Sequence, residues 1–273
     1  MIKVVKDIGV IPDSLKPAFP DLFPERIGRN VIPVPLINRT THARRMEAIN
    51  AGFYTDDSNF NSRYKLGDIR LAIGDIYKGK CAFCEQNQEV MHVEHYRPKS
   101  AYYWLAYSWD NLLASCQTCN GNKGTKFELS GTMVTFTNSE VNIRNINSSS
   151  AVYDIAEMPK MVNPEITDPI GHIEFEKNGN IFSHEPRFKY TIESCGIDRK
   201  ALNDSRKTIL DLFCKYVRDA FLDNISEEDQ KVAIRTNIKN FISDSKDEYQ
   251  DFLAFRNYAI ANDWLNDIVK EKN

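Results

Sequence analysis

Six cysteines are the first residues of this 273-residue sequence whose type and spacing could do chemistry. Four of them form two CxxC pairs, Cys81 with Cys84 and Cys116 with Cys119. Four thiolates suit a closed tetrahedral zinc site of the structural kind. The sequence therefore predicts a structural Zn²⁺ ion between the two pairs, with the two remaining cysteines as buried thiols.

The spacer between the two pairs is longer than in most zinc sites of this pattern. In ordinary zinc ribbons about 15 to 20 residues separate the pairs, whereas here residues 85–115 intervene. Polar residues suited to acid–base and metal chemistry lie inside this spacer or just after it: Glu94, His95, Asn111, Asn120 and Lys123. From the residues alone, the alternative is a zinc-dependent binding module in which these side chains are incidental.

The order of these residues, in VEHYRPKS, WDNLLASC and CNGNKG, resembles that of HNH endonucleases of the ββα-metal type. In that family, two strands and a helix carry an acidic–histidine pair, a central asparagine and a final histidine or asparagine. The resemblance implies an α+β protein with a zinc-stapled ββα-metal core, in which the second CxxC pair begins the helix. It also implies an endonuclease.

Hydrolysis of a phosphodiester needs residues of these types, because a base must deprotonate water and a hard cation must neutralise charge on the phosphate. The resemblance implies that His95 is the general base and that Glu94 and Asn120 bind one catalytic Mg²⁺ or Mn²⁺ ion. It assigns to Asn111 the orientation of the loop that carries His95. The candidate phosphate contacts are Arg97, Lys99 and Lys123.

Two positions depart from the commonest family pattern. Glu94 stands where many members have aspartate, so its carboxylate is one methylene longer. Asn120 stands in place of a final histidine, a variant that the family uses. The role of His92, three residues before His95, is open between packing, a substrate contact and an alternative metal ligand.

The similarity extends over about residues 75–210, including VNPEITDPIGHIEF and TIESCGIDRKALNDSRKTIL. Over that length the chain resembles the HNH effector nucleases of Septu-type and retron-associated anti-phage systems. This resemblance implies a nucleic acid substrate, with DNA favoured, and a partner, the ABC-type ATPase PtuA. A toxin-like ribonuclease that cleaves tRNA or other RNA is the alternative enzyme.

Three parts of the chain must position the candidate site. Residues 1–77 are predicted to form an extended arm, with six prolines in its first 40 residues, followed by helices. Residues 78–130 form the predicted nuclease core. Residues 131–273 are predicted to form a hairpin and a largely helical, partner-docking part, because an Asn-Gly turn and long amphipathic segments occur there.

The Ser- and Asn-rich stretch 130–150 favours a loop or a marginal hairpin between the last two parts. One hairpin is predicted around EKNGNI, and helices are predicted after Asp198, near 229–242 and within 246–270.

Overall composition limits the kinds of partner and location. With 35 Lys and Arg against 38 Asp and Glu, the net charge is -3, so any contact with nucleic acid must be local. The chain contains no apolar run of about 18 residues, and its start does not have the pattern of a secretory signal. We expect a cytoplasmic protein that does not associate with membranes.

Overall fold

The computed structural model describes six stretches of the chain, which include the whole predicted nuclease core. They are residues 1–17, 26–27, 30–31, 40–54, 63–222 and 226–272. A short antiparallel pair, β1 (Arg26–Ile27) and β2 (Asn30–Val31), falls in the N-terminal part. Four prolines of the predicted extended arm lie outside the described residues: Pro20, Pro24, Pro33 and Pro35.

Two short strands and one helix form the centre of the fold. Strand β3 (His92–His95) pairs in antiparallel register with β4 (Leu112–Ser115). Helix α3 (Gln117–Lys123) begins directly after β4, and Cys116 caps it by accepting a hydrogen bond from the backbone of the first turn. The ββα arrangement predicted around the two CxxC pairs is therefore confirmed.

Two helices precede this core. Helix α1 (Thr41–Ala51) is capped by Thr40, whose hydroxyl accepts a hydrogen bond from the backbone of the first turn. Helix α2 (Gly67–Tyr77) ends at two residues of positive φ, Lys78 at 52° and Gly79 at 72°. Since glycine tolerates this conformation without a steric penalty, Gly79 ends the helix as predicted and turns the chain toward the first CxxC pair.

The N-terminal part packs on the loop that connects β3 to β4. The buried ammonium of Lys6 donates to the carbonyls of Trp109 at 2.8 Å and Leu112 at 2.6 Å. From α1, the buried guanidinium of Arg45 donates to the carbonyls of Leu15 and Tyr107, each at 2.8 Å. These bonds hold the β3–β4 loop and the start of β4 against the N-terminal part.

The Ser- and Asn-rich stretch contains helices where a loop or marginal hairpin was predicted. Helix α4 (Glu140–Arg144) is capped by Ser139, and helix α5 (Ser149–Glu157) follows. The prediction was wrong from residue 140 onward. Composition misled it, because the helical conformation of α5 is stabilised by buried tertiary contacts to the nuclease core, including those of Ser150 and Glu157.

After α5, the C-terminal part continues as a hairpin followed by a helical layer, as predicted. Its hairpin comprises β5 (Glu174–Phe175) and β6 (Ile181–Phe182), with Gly179 at φ 89° in the turn. The helices are α6 (Pro186–Cys195), α7 (Lys200–Leu222), α8 (Glu227–Asp244), α9 (Leu253–Ala261) and α10 (Trp264–Lys272). One continuous apolar cluster joins these helices to the nuclease core. Within the described ranges, no helix has the length and apolar character needed to cross a membrane.

Candidate active site

Glu94 and Lys123 form a buried ion pair between β3 and α3. The ammonium nitrogen of Lys123 lies 2.7 Å from Oε1 of Glu94 and donates to the backbone carbonyl of His95 at 2.8 Å. Burial raises the pKa of Glu94 above its ordinary value, and the adjacent Lys123 charge offsets only part of this rise. The pair connects the helix to the strand that carries the candidate base.

The His95 imidazole is buried and held in one tautomer. Its Nε2 lies 2.9 Å from the carbonyl oxygen of Ala106. Because a carbonyl only accepts hydrogen bonds, Nε2 carries the proton and Nδ1 carries the lone pair. Burial lowers the pKa of His95 to about 3, so the ring is neutral at physiological pH. The ring of Tyr64 packs edge-on against it, with centroids 4.5 Å apart.

Asn111 connects the segment after β3 to the loop that precedes β4. Its Oδ1 accepts a hydrogen bond from the backbone nitrogen of Arg97 at 2.8 Å, and its Nδ2 donates to the carbonyls of Arg97 at 3.0 Å and Leu105 at 3.2 Å. The side chain is fully buried. These contacts tie the backbone just after His95 to the loop that precedes β4.

Replacing Asn111 with alanine is expected to lower the free energy of unfolding by about 3 kcal/mol, because three backbone groups lose their buried partner. The loop after His95 should then be less ordered, and nucleic acid cleavage should fall. Chemical denaturation and a cleavage assay measure the two effects. In the control, Asn138→Ala at an exposed position should change neither; an Asn111→Ala protein as stable as this control would contradict the orienting role.

Two of the three predicted phosphate contacts are enclosed within the protein. Arg97 donates to three side chains of α5: Glu157 at 2.8 Å, Ser150 at 2.8 Å and Asp154 at 2.6 Å. Both Arg97 and Lys123 are 0% exposed. Since their donors are satisfied by protein acceptors, their positions do not fit the predicted contact with phosphate. Arg97 instead anchors α5 beside the end of β3.

A cleft of about 320 Å³ opens beside β3. Five of the residues singled out from the sequence line it: His92, Glu94, His95, Lys99 and Asn120. His92 is partly exposed at the start of the strand, so it belongs to the cleft lining and not to the apolar core. The structure thus brings together the candidate base, the two candidate metal ligands and one candidate phosphate contact.

Three further residues of the cleft were not identified from the sequence. Tyr54, Tyr64 and Lys65 line it together with Lys99. The Lys99 ammonium lies 4.1 Å from the centroid of the Tyr54 ring, and that of Lys65 lies 5.3 Å from the centroid of the Tyr64 ring. These residues belong to a region with helical apolar spacing, which carries no signal of a site. Only tertiary packing places them beside His95.

The four cysteines of the two CxxC pairs meet as predicted. Their sulfur atoms all lie within 4.8 Å of one another, and those of Cys84 and Cys116 are 3.9 Å apart. Zinc–sulfur bonds of about 2.3 Å in a tetrahedron place the sulfurs about 3.8 Å apart. None of the six cysteines forms a disulfide. The cluster is buried, could hold a zinc ion and fits one in ligand type and spacing.

Helix α3 links the cysteine cluster to the cleft. Cys116 and Cys119 lie at its start, Asn120 follows within the first turn, and Lys123 lies one turn later on the same side as Asn120. A metal ion in the cluster would fix the start of this helix against the turn that carries Cys81 and Cys84. It would thereby set the distance of the Asn120 amide from Glu94 on β3.

Comparison with known proteins agrees with this geometry. Residues 81–126 match the family model for HNH endonucleases. The chain contains an HNH endonuclease domain. The HNH domain lies inside the predicted nuclease core, residues 78–130, and its match includes both CxxC pairs as well as Glu94, His95, Asn111, Asn120 and Lys123.

Two curated relatives extend the comparison beyond the HNH domain. The chain is 29% identical over 231 residues to Septu protein PtuB of Bacillus mycoides (strain KBAB4), a match that covers 73% of this chain and 74% of the relative. It is 42% identical over 71 residues to Septu protein PtuB of Bacillus thuringiensis, covering 24% of this chain and 28% of that relative. Together with the HNH domain, these similarities support a nuclease.

Proposed function

We propose that this protein is a metal-dependent HNH endonuclease that hydrolyses phosphodiester bonds of nucleic acid, with DNA as the favoured substrate. The observation that carries the proposal is the cleft beside β3, which collects a neutral imidazole, a carboxylate and an amide on one ββα unit. Its similarity to Septu protein PtuB adds the biological setting, an effector in anti-phage defence.

His95 is the proposed general base. The Ala106 carbonyl holds the proton on Nε2, so Nδ1 is left to accept a proton from the attacking water. The low pKa of the ring keeps it unprotonated before each turnover. Asn111 fixes the backbone on the C-terminal side of His95, and Tyr64 restricts rotation of the imidazole.

Glu94 and Asn120 are the proposed ligands of a catalytic Mg²⁺ ion. They offer two oxygen donors at one cleft, and Mg²⁺ usually takes one or two protein oxygens while it keeps several waters. When bound, this ion would neutralise charge that develops on the phosphate and on the leaving oxygen. Lys123 pairs with the Glu94 carboxylate and holds it against α3.

Lys99, with Lys65 beside it, is the proposed contact for the phosphate backbone. Both line the cleft, whereas Arg97 and Lys123 are enclosed. Contacts of this kind position a nucleic acid without reading its sequence.

The remaining parts are proposed to support the nuclease and its control. The zinc ion of the four-cysteine cluster would be structural, because all four ligand positions are taken by thiolates. Residues 131–273 would dock the ABC-type ATPase PtuA in the cytoplasm. The sequence has no GxxxxGK[ST] phosphate loop, so any ATP hydrolysis in this system would come from the partner.

Cleavage assays on three labelled substrates test this proposal: double-stranded DNA, single-stranded DNA and total tRNA. Each is incubated with the protein in Mg²⁺ or in EDTA, with and without PtuA. We expect cleavage of DNA that requires Mg²⁺. Cleavage of tRNA alone would replace DNA with an RNA substrate. Binding without cleavage in any divalent ion, with and without PtuA, would overturn the nuclease and leave a zinc-dependent binding module.

A further inference from the structure

Arg199, from the stretch CGIDR, contacts the four-cysteine cluster from the C-terminal part of the chain. Its Nη1 lies 3.4 Å from the sulfur of Cys119, and its Nη2 lies 3.9 Å and 4.0 Å from those of Cys116 and Cys84. The guanidinium therefore directs both of its terminal nitrogens at sulfur atoms. Nothing in the proposed nuclease chemistry uses this residue.

The Arg199 guanidinium is held in place by its own turn and by α3. Its Nη1 also donates to the Gly196 carbonyl at 2.9 Å. The same turn contacts α3 directly, because Nδ2 of Asn122 donates to the Cys195 carbonyl at 3.3 Å. A Cβ atom at Gly196 would lie 2.4 Å from that nitrogen, so the turn approaches the helix closely. Arg199 thus faces the sulfurs as part of a packed contact.

The negative charge of a zinc-loaded cluster explains why an arginine would contact its sulfur atoms. One Zn²⁺ and four thiolates carry a net charge of about -2. A buried charge of this size is costly unless positive charge and hydrogen-bond donors compensate it. N–H groups that donate to ligand sulfurs are such compensation, and residues in this outer position commonly change metal affinity by about 10- to 100-fold.

We propose that Arg199 is a positioning residue of the zinc centre, which retains the ion by donating hydrogen bonds to its thiolates and by neutralising part of their charge. Through Arg199, the C-terminal helical layer holds the cluster that anchors α3. The proposal rests on zinc occupancy of the four cysteines and does not require nuclease activity.

Zinc release measures this role directly. Wild type, Arg199→Ala and Arg199→Gln are purified with zinc, the zinc content per chain is determined, and release to excess pyridylazoresorcinol is followed by absorbance. We expect Arg199→Ala to release zinc about 10-fold faster than wild type or more. Arg199→Gln retains N–H donors without the charge, so its rate should lie between the two. The control is Arg218→Ala, which removes an exposed arginine of α7, the helix that begins directly after Arg199, and should match wild type.

Replacing zinc with cobalt distinguishes a direct effect of Arg199 on the cysteine ligands from a general loss of protein stability. In the Co²⁺-loaded protein, loss of the N–H···S bonds raises the energy of the sulfur lone pairs. The sulfur-to-cobalt charge-transfer band of Arg199→Ala should therefore move to lower energy, and that of Arg218→Ala should not. Wild-type release rates together with an unshifted band would overturn the proposal. If Arg199→Ala does not fold, the same two measurements on Arg199→Gln decide the question.

Discussion

Replacing His95 with alanine is expected to reduce nucleic acid cleavage by about 10²- to 10⁴-fold, the range typical for loss of a general base. The substitution removes the nitrogen lone pair that accepts the proton of the attacking water. It leaves the four cysteines, the Glu94–Lys123 pair and the contacts of Asn111 in place. Rates with saturating Mg²⁺ are compared, and zinc content and circular dichroism establish that the fold is retained.

A second substitution distinguishes the chemistry of His95 from its packing. In His95→Gln, the side-chain amide reaches the position of Nε2 and can still donate to the Ala106 carbonyl, but it has no basic nitrogen. We expect this variant to be as inactive as His95→Ala and closer to wild type in stability. The control is His184→Ala, since the His184 side chain is 83% exposed and lies outside the HNH domain. Cleavage by His95→Gln at the wild-type rate would refute the assignment of the base.

Replacing Cys116 with serine is expected to release zinc and destabilise the whole HNH domain. Serine does not supply the fourth thiolate, and the free energy of zinc binding contributes directly to folding. A loss of a few kcal/mol lowers the melting temperature of a chain of this size by about 10 °C. Cys116 also caps α3, but a serine hydroxyl can accept the same hydrogen bond, so the loss of stability comes from the missing zinc ligand. Zinc content per chain and thermal unfolding measure both effects.

The matched control for this change is Cys214→Ser. Cys214 is a partly buried cysteine of α7 that lies outside the four-cysteine cluster. The Cys214→Ser protein should keep the full zinc content and lose little stability, because this substitution removes a thiol that is not a zinc ligand. An unchanged zinc content in Cys116→Ser would refute the four-cysteine site. Together with His95→Ala, the two cysteine variants distinguish a loss of catalysis in a folded domain from a loss of the fold.

Local sequence was sufficient for the centre of the fold. Two CxxC pairs can satisfy one tetrahedral ion only if the segments that carry them meet, so their spacing predicted the contact between the turn after α2 and the start of α3. By resemblance, the acidic–histidine pair and the following asparagines predicted a nuclease site on that unit. The Asn-Gly turn likewise predicted the β5–β6 hairpin, because few other turns accept its backbone conformation.

The roles of the basic residues depended on tertiary structure. In the sequence, Arg97, Lys99 and Lys123 are equally plausible phosphate contacts. Their environments differ because α5 presents two carboxylates and the Ser150 hydroxyl to Arg97, and β3 presents Glu94 to Lys123. Whether a basic side chain meets solvent or a buried partner is a property of the packed state, which charge and spacing along the chain do not encode.

The sequence by itself determined the chemistry that this protein can hold: four thiolates for zinc, and a histidine, a carboxylate and amides in HNH order. Tertiary structure decided which of those groups are exposed to a substrate and which are structural. It also placed Tyr64 against His95 and Arg199 against the cysteine sulfurs, over separations of 31 and 80 residues or more. Such contacts follow from how the whole core packs, because no local pattern relates residues so far apart.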